Sequence, residues 1–230
     1  MEWKDEGIIL HTHALGENKS ILSLFTPTQG RWMGVVRTSA KTKPWLQCGA
    51  KVDARWHARL EAQMGSWTLE PLSSYTTPIL DAPGPLMAFL SAAALCHKAL
   101  PERHAYSRLY EHFENFCKAL PSLHWMQAYL LFELTLLEEL GYGLDLQQCA
   151  VTGVTKDLVA VSPKTGRAVC AEVAKPYEGR LLPLPSFLRT DNPPSPQEVR
   201  EALILTGFFL EHHLLGRTLP APRLRLSDTF

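Results

Sequence analysis

Residues 51–60 alternate with strict period two: Lys51, Asp53, Arg55, His57 and Arg59 share one parity, and Val52, Ala54, Trp56, Ala58 and Leu60 share the other. Successive side chains of a strand point to opposite faces, so this pattern restricts the stretch to a half-buried strand with Trp56 in a core. A second strand precedes it at 31–37, with β-branched Val35 and Val36. Between them, residues 38–49 carry Lys41, Lys43 and Trp45 around Pro44, which cannot donate to a sheet ladder, and read as a mobile basic loop.

Charge concentrates in the same stretch. The 230-residue chain has 23 Lys plus Arg and 23 Asp plus Glu, so net charge points to no partner and only its distribution is informative. Between Arg31 and Arg59 there are seven cations (Arg31, Arg37, Lys41, Lys43, Lys51, Arg55, Arg59) against the single acid Asp53. Cationic strands joined by a basic, aromatic loop suit a phosphate backbone, because Lys and Arg release counterions and a ring such as Trp45 can stack on a base. The competing reading is a solvated strand face whose arginines pair with nearby carboxylates.

Short strands are also expected at 7–13, 20–26 and 67–72, with turns at 15–18, 27–30 and 63–65. Five strands in about 70 residues make a small closed or partly closed barrel, of which the OB-fold is the common form with a nucleic-acid face and an SH3-like barrel the alternative. Near residues 78–85 the composition turns to proline and glycine and the period changes from 2 to 3.6. The expected fold class is therefore α+β, with a five-stranded OB-type barrel at 1–78 followed by an all-helical domain at 79–230.

In that second part Leu86, Phe89, Leu90 and Ala93 form a helical stripe ending before Pro101, and 106–120 form a second helix. Ser122 is placed to cap a third, apolar nearly all round, that Gly141 closes and that should be the centre of the bundle. Residues 145–185 interrupt the helices with a small hairpin of strands at 158–161 and 167–170. Ser195, Pro196 and Glu198 make a capping box with proline at N1, opening a last helix with Val199, Leu203, Leu210 and Leu214 on one face. Arg217, Arg223 and Arg225 leave a basic tail.

No Walker loop, GxSxG elbow or HExxH is present, so no catalytic residues and no cofactor are assigned. Glu133, Glu138 and Glu139 are the acidic cluster a hydrolase reading would need, and read more simply as the polar edge of a helix. His11 and His13 share a strand face as surface histidines, and His97 reads as a hydrogen-bonded core histidine. Cys149 and Cys170 flank the hairpin as zinc-ribbon knuckles would. Thr152 and Val173 occupy the partner positions, so the ribbon is degenerate and no metal is expected. Five unpaired-looking cysteines, an acidic start where a signal peptide is basic, and no apolar run long enough for a bilayer point to a reduced cytoplasmic protein.

In order along the chain, Trp3, Asp5 to Leu10, Gly16-Glu17, Leu24 to Thr26, Gly30, Gly34 to Arg37, Leu46-Gln47, Gly49, Trp56, Arg59 and Gly65 resemble the amino half of the RecO family of bacterial DNA repair and recombination proteins. Cys149, Gly153, Val161 to Pro163, Gly166 to Val169, Arg180 to Pro185, Leu219-Pro220 and Arg223 extend the resemblance. It implies an N-terminal OB-fold, a helical domain with a zinc-ribbon-like insertion, a nucleoid-associated location and a non-enzymatic role. That role is binding single- and double-stranded DNA, annealing strands, and working with RecR and single-stranded-DNA-binding protein (SSB) to load RecA. Thr38 and Cys48 depart from the family's usual glycine and proline. Without the resemblance, an OB-type RNA-binding protein is the runner-up. Phe208, Phe209, Leu215 and Arg217 on the last helix are the expected dock for the acidic, hydrophobic-ended SSB tail.

Overall fold

The computed structural model describes residues 1–60, 62–190 and 192–229. Five strands, β1 (Glu2–Ala14), β2 (Lys19–Thr26), β3 (Gly30–Arg37), β4 (Ala50–His57) and β5 (Ser66–Ser74), form a barrel in the order β1-β2-β3-β5-β4. Neighbours pair antiparallel except β3 with β5, which meet in parallel at Val35 and Ser66. This is the five-stranded OB arrangement.

Period two fills the interior. Leu22, Leu24, Trp32, Val36, Val52, Ala54 and Trp56 face inward, and Trp3, Trp32 and Trp56 pack ring on ring, with centroids 4.6 to 6.2 Å apart. The parity expected for β4 holds through Ala58, but Leu60 lies beyond the strand and is 56% exposed. Gly65, at φ +71°, lets the backbone touch Trp56, whose indole N–H donates to the Met64 carbonyl at 3.0 Å.

Helices α1 (Pro83–Ala99), α2 (Ser107–Ala119), α3 (Trp125–Glu139), α5 (Pro196–Phe209) and α6 (Ala221–Ser227) build the second body. A short α4 (Ala171–Ala174) follows a sheet ordered β7-β6-β8, from β6 (Leu158–Val161), β7 (Ala168–Cys170) and β8 (Leu182–Pro183). The expected hairpin is there with a third strand added. The capping box at Ser195 forms as anticipated. Ser122 does not cap α3: its hydroxyl donates to the Ala119 carbonyl, and α3 starts three residues later. Gly141, at φ +88°, ends α3 with Gly141 and Tyr142 N–H groups returned to Glu138 and Leu137. α3 shares the centre with α1, which is buried on most sides and packs against α3, α6 and β1.

The tail is not a tail. α5 runs into a π-helical turn at Leu210–Leu215, Gly216 turns the chain at φ +58°, and α6 returns into the core. Arg223 is completely buried, paired with equally buried Glu133. Among the described residues no helix is long and apolar enough to cross a membrane.

Candidate nucleic-acid interface

The barrel's outer face on β1, β2 and β3 is divided between a covered and an open half. At the covered end Phe25 packs on Tyr110 and Phe113 of α2. Beside it Arg31, 9% exposed, donates from Nε to the Leu100 carbonyl at 2.7 Å and lies 3.5 Å from Glu102. Gly30 brings the backbone so close to His104 that a Cβ would meet its carbonyl oxygen. Arg31 is thus a fastener between the two bodies, and its expected place on an exposed cationic strand is corrected.

At the open end Lys19 and Arg37 stand opposite each other across β2 and β3, both exposed. Next to them on the same face lie Ile21 and Val35, with His13 beyond on β1. The loop from 38 to 49 borders this end, because the Thr38 N–H donates to the Asn18 carbonyl at 2.9 Å. Its Lys41 and Lys43 are exposed.

This loop carries hydrogen bonds of its own. The Ser39 N–H donates to Thr42 Oγ1 at 2.9 Å, the Lys43 N–H returns to the Ser39 carbonyl, and Leu46 is buried in the barrel. Cys48 uses its thiol to donate to the Leu10 carbonyl at 3.0 Å. Trp45 lies half-buried against the barrel core, so its ring is largely committed to packing. Across the face, the Val35 N–H donates to the Gly65 carbonyl at 3.0 Å, and Arg59, just past β4, is exposed.

The cations expected on β4 have a different fate. Lys51 bonds Glu114 of α2 at 2.8 Å and Glu6 at 3.0 Å, and the charge-assisted bond to Glu114 raises its pKa. Arg55 pairs with Glu2 at 3.4 Å and Asp53 with Lys4 at 2.8 Å. With Glu2 and Glu6 on β1 and Glu70 on β5 flanking it, the outer face of β4 is a mixed-charge lattice. The competing reading, in which Arg55 and Arg59 pair with carboxylates, holds for Arg55; Lys51 is paired as well, and Arg59 has no ion-pair partner among the described residues. Among the described residues Lys19, Arg37, Lys41, Lys43 and Arg59 have no ion-pair partner, and four of these five were expected. Lys19 was missed, although it was readable: counting outward from the 27–29 turn places Lys19 against Arg37.

Two titrations follow from how the bodies meet. Burial pushes the Glu114 carboxyl up, but Lys118, Lys51 and Tyr75 outweigh it and hold the group down to about 2. His97 is half-buried on α1, stacked 4.6 Å from His11, with Nδ1 lacking a partner, which corrects the reading of it as hydrogen-bonded. Burial, then His11, Arg31 and Lys98, lower it to about 4. Both folded values lie below the unfolded ones, so each contribution is complete above the unfolded pKa and is lost as pH falls to the folded one. Stability should fall first from pH 6.5 toward about 4 through His97, then from 4.5 toward about 2 through Glu114. Urea midpoints against pH read this directly: His97→Gln should remove the upper stage and Lys51→Met should shrink the lower. A midpoint independent of pH over the upper window would contradict the assignment.

The acidic residues a hydrolase reading would use are committed elsewhere. Glu133 is sealed in its ion pair, while Glu138 and Glu139 bind Arg108 at 2.8 and 3.4 Å. Phe209 is buried, and Phe208 and Leu215 pack half-buried on the helical core. Phe208 also stacks 4.3 Å from His212. Of the residues expected to dock a partner tail, Arg217 alone is exposed, because Phe209 lies on the buried face of α5 and Phe208 and Leu215 pack on the core beside it.

An OB barrel with a cationic rim, fastened to a helical body that carries a small three-stranded sheet, defines the class. Residues 1–75 match the family model described as recombination protein O N terminal, and residues 85–221 match its C terminal counterpart. The chain belongs to the RecO family. Proteins named DNA repair protein RecO are 45% identical over 234 residues in Cereibacter sphaeroides, covering 99% of this chain and 98% of that one. The Roseobacter denitrificans relative is 44% identical over 237 residues, covering 100% and 98%. In Caulobacter sp. (strain K31) identity is 42% over 236 residues, covering 99% and 97%.

Proposed function

We propose that this chain is a non-enzymatic DNA repair mediator that grips DNA backbones on the open end of its barrel, anneals complementary strands, and acts with RecR and SSB to assist RecA loading. The observation that carries the DNA contact is the set of cations with no ion-pair partner among the described residues, Lys19, Arg37, Lys41, Lys43 and Arg59, around the β2–β3 end. Family membership and the relatives' printed names support the repair role. The bulky indoles Trp3, Trp32, Trp56 and Trp67 are spent inside the barrel, so phosphate contact dominates over base stacking. For the SSB tail, the exposed Tyr142 and Lys164 line a small cavity with Phe209 and His213, which suits a hydrophobic residue beside a carboxylate better than the outer side of α5.

A phosphate-dominated face predicts little discrimination between single-stranded and duplex DNA. Fluorescence titration of the full chain with oligonucleotides of equal length should give dissociation constants within about tenfold of each other at matched salt. It should also accelerate annealing of complementary strands without nucleotide turnover. Strong preference for RNA over both DNA forms would instead indicate a reader of the 2′-hydroxyl and overturn the proposal.

A further inference from the structure

The two cysteines left from the degenerate ribbon converge. The Cys149 N–H donates to the Val154 carbonyl at 2.7 Å and the Ala150 N–H to the Ala168 carbonyl at 2.8 Å, which stitches the 149–154 loop onto β7. The Cys149 sulfur then accepts the backbone N–H of Cys170 at 3.4 Å, while Thr152 Oγ1 lies 3.7 Å from the Cys170 sulfur. A structural zinc needs four ligands. The residues present do not fit one: Thr152 stands at one missing position, Val173 packs on the core at the other, and among the described residues no three potential ligands gather.

We propose that Cys149 and Cys170 form a redox-active dithiol that peroxide closes to an intrachain disulfide, clipping the 149–154 loop to β7 where a zinc ion would otherwise do so. Cys170, 6% exposed, lines an open cavity of about 680 Å³ with residues 153–157, Ala171 and Glu172, which is the way in for a small peroxide. Attack by that sulfur breaks the O–O bond and leaves a sulfenic acid and one water. The neighbouring Cys149 thiolate attacks the same sulfur, and the departing hydroxide takes up a proton as a second water. Two thiols and one hydrogen peroxide thus become one disulfide and two waters.

The other cysteines are built differently. Cys48, Cys96 and Cys117 sit in apolar surroundings where burial raises the thiol pKa, for Cys48 to about 12. At Cys149 burial also acts upward, but hydrogen bonds from the Thr152 hydroxyl and from the Thr152, Cys170 and Val151 backbone outweigh it and bring the thiol down to about 6. The lowering favours the thiolate form that attacks the sulfenic acid.

The test is peroxide titration of the full-length reduced protein, followed by denaturation, alkylation and non-reducing peptide mapping. The expected result is a Cys149–Cys170 cross-linked peptide that dithiothreitol abolishes, with Cys48, Cys96 and Cys117 still alkylated. The oxidised chain should also melt about 5 °C above the reduced one, because the closed loop restricts the unfolded ensemble. In Cys149→Ser or Cys170→Ser, checked for folding by circular dichroism, neither the cross-link nor the shift should appear. Five alkylated cysteines after peroxide, a cross-link between chains, or one bound zinc per chain lost in these variants would overturn the proposal.

Discussion

Replacing Arg223 with Met should destabilise the fold by about 3–5 kcal/mol, more than any surface substitution in the chain. The guanidinium and the Glu133 carboxylate are both fully buried. Arg223 Nη2 donates to Glu133 Oε2 at 3.1 Å and to the Leu203 carbonyl at 2.8 Å, and Nη1 binds Ser227. Glu133 in turn accepts from Tyr129 and Thr206, and Tyr129 meets Ser91, so one network joins α1, α3, α5 and α6. Removing the cation strands a carboxylate in the core, and that penalty exceeds the net worth of the pair itself.

The prediction therefore has two arms. Thermal and urea unfolding should show a large loss for Arg223→Met alone. The double variant Glu133→Gln, Arg223→Met should recover most of it, since two near-neutral groups of similar volume leave no buried charge. Equal loss in both would mean that packing of α6, not the ion pair, carries the effect. Deletion of α6 would not separate the two, because it removes both.

Arg223 also marks what a linear reading could not see. The segment from Ala221 to Ser227 is seven residues with two arginines, and no periodicity that short distinguishes a docked helix from a basic tail. The barrel was legible because period two is a local signal that each strand carries for itself, and the capping box at Ser195 for the same reason. Arg31 and Lys51 were placed on the exposed face because their partners, Leu100 and Glu102 for Arg31 and Glu114 for Lys51, lie 63 or more residues away, and only packing of the helical body on the barrel brings them there. Phe209 is buried on the face of α5 that carries Val199, Ala202, Leu203 and Thr206, so the 3.6 period itself marks it as core and its choice as a dock overlooked that spacing. By contrast Arg37, Lys41, Lys43 and Arg59 stayed exposed because they fall at a strand end or in loops, where little remains to cover them.

The second large effect concerns DNA. If the five unpaired cations Lys19, Arg37, Lys41, Lys43 and Arg59 each neutralise a phosphate, the slope of log affinity against log salt on single strands should be about −3 to −4. Replacing Lys19, Arg37 and Lys43 with Ala removes three of those contacts. The slope should flatten by about two units, with binding at low salt falling most. None of the three side chains has a hydrogen bond or ion pair among the described residues, so the variant should fold and melt as the parent does.

Lys51 and Arg55 supply the control, since they carry the same charge on the same barrel but already serve Glu6, Glu114 and Glu2. The decisive measurement is one set of salt titrations of labelled single-stranded DNA against three proteins: the parent, the Lys19, Arg37, Lys43 triple Ala variant, and the Lys51, Arg55 double Ala variant. The interface assigned to the β2–β3 end predicts a flattened slope for the triple variant and an unchanged slope for the double, whose cost should appear in stability instead. An unchanged slope in the folded triple variant, or a slope flattened by the double, would contradict it and return the DNA to the face of β4.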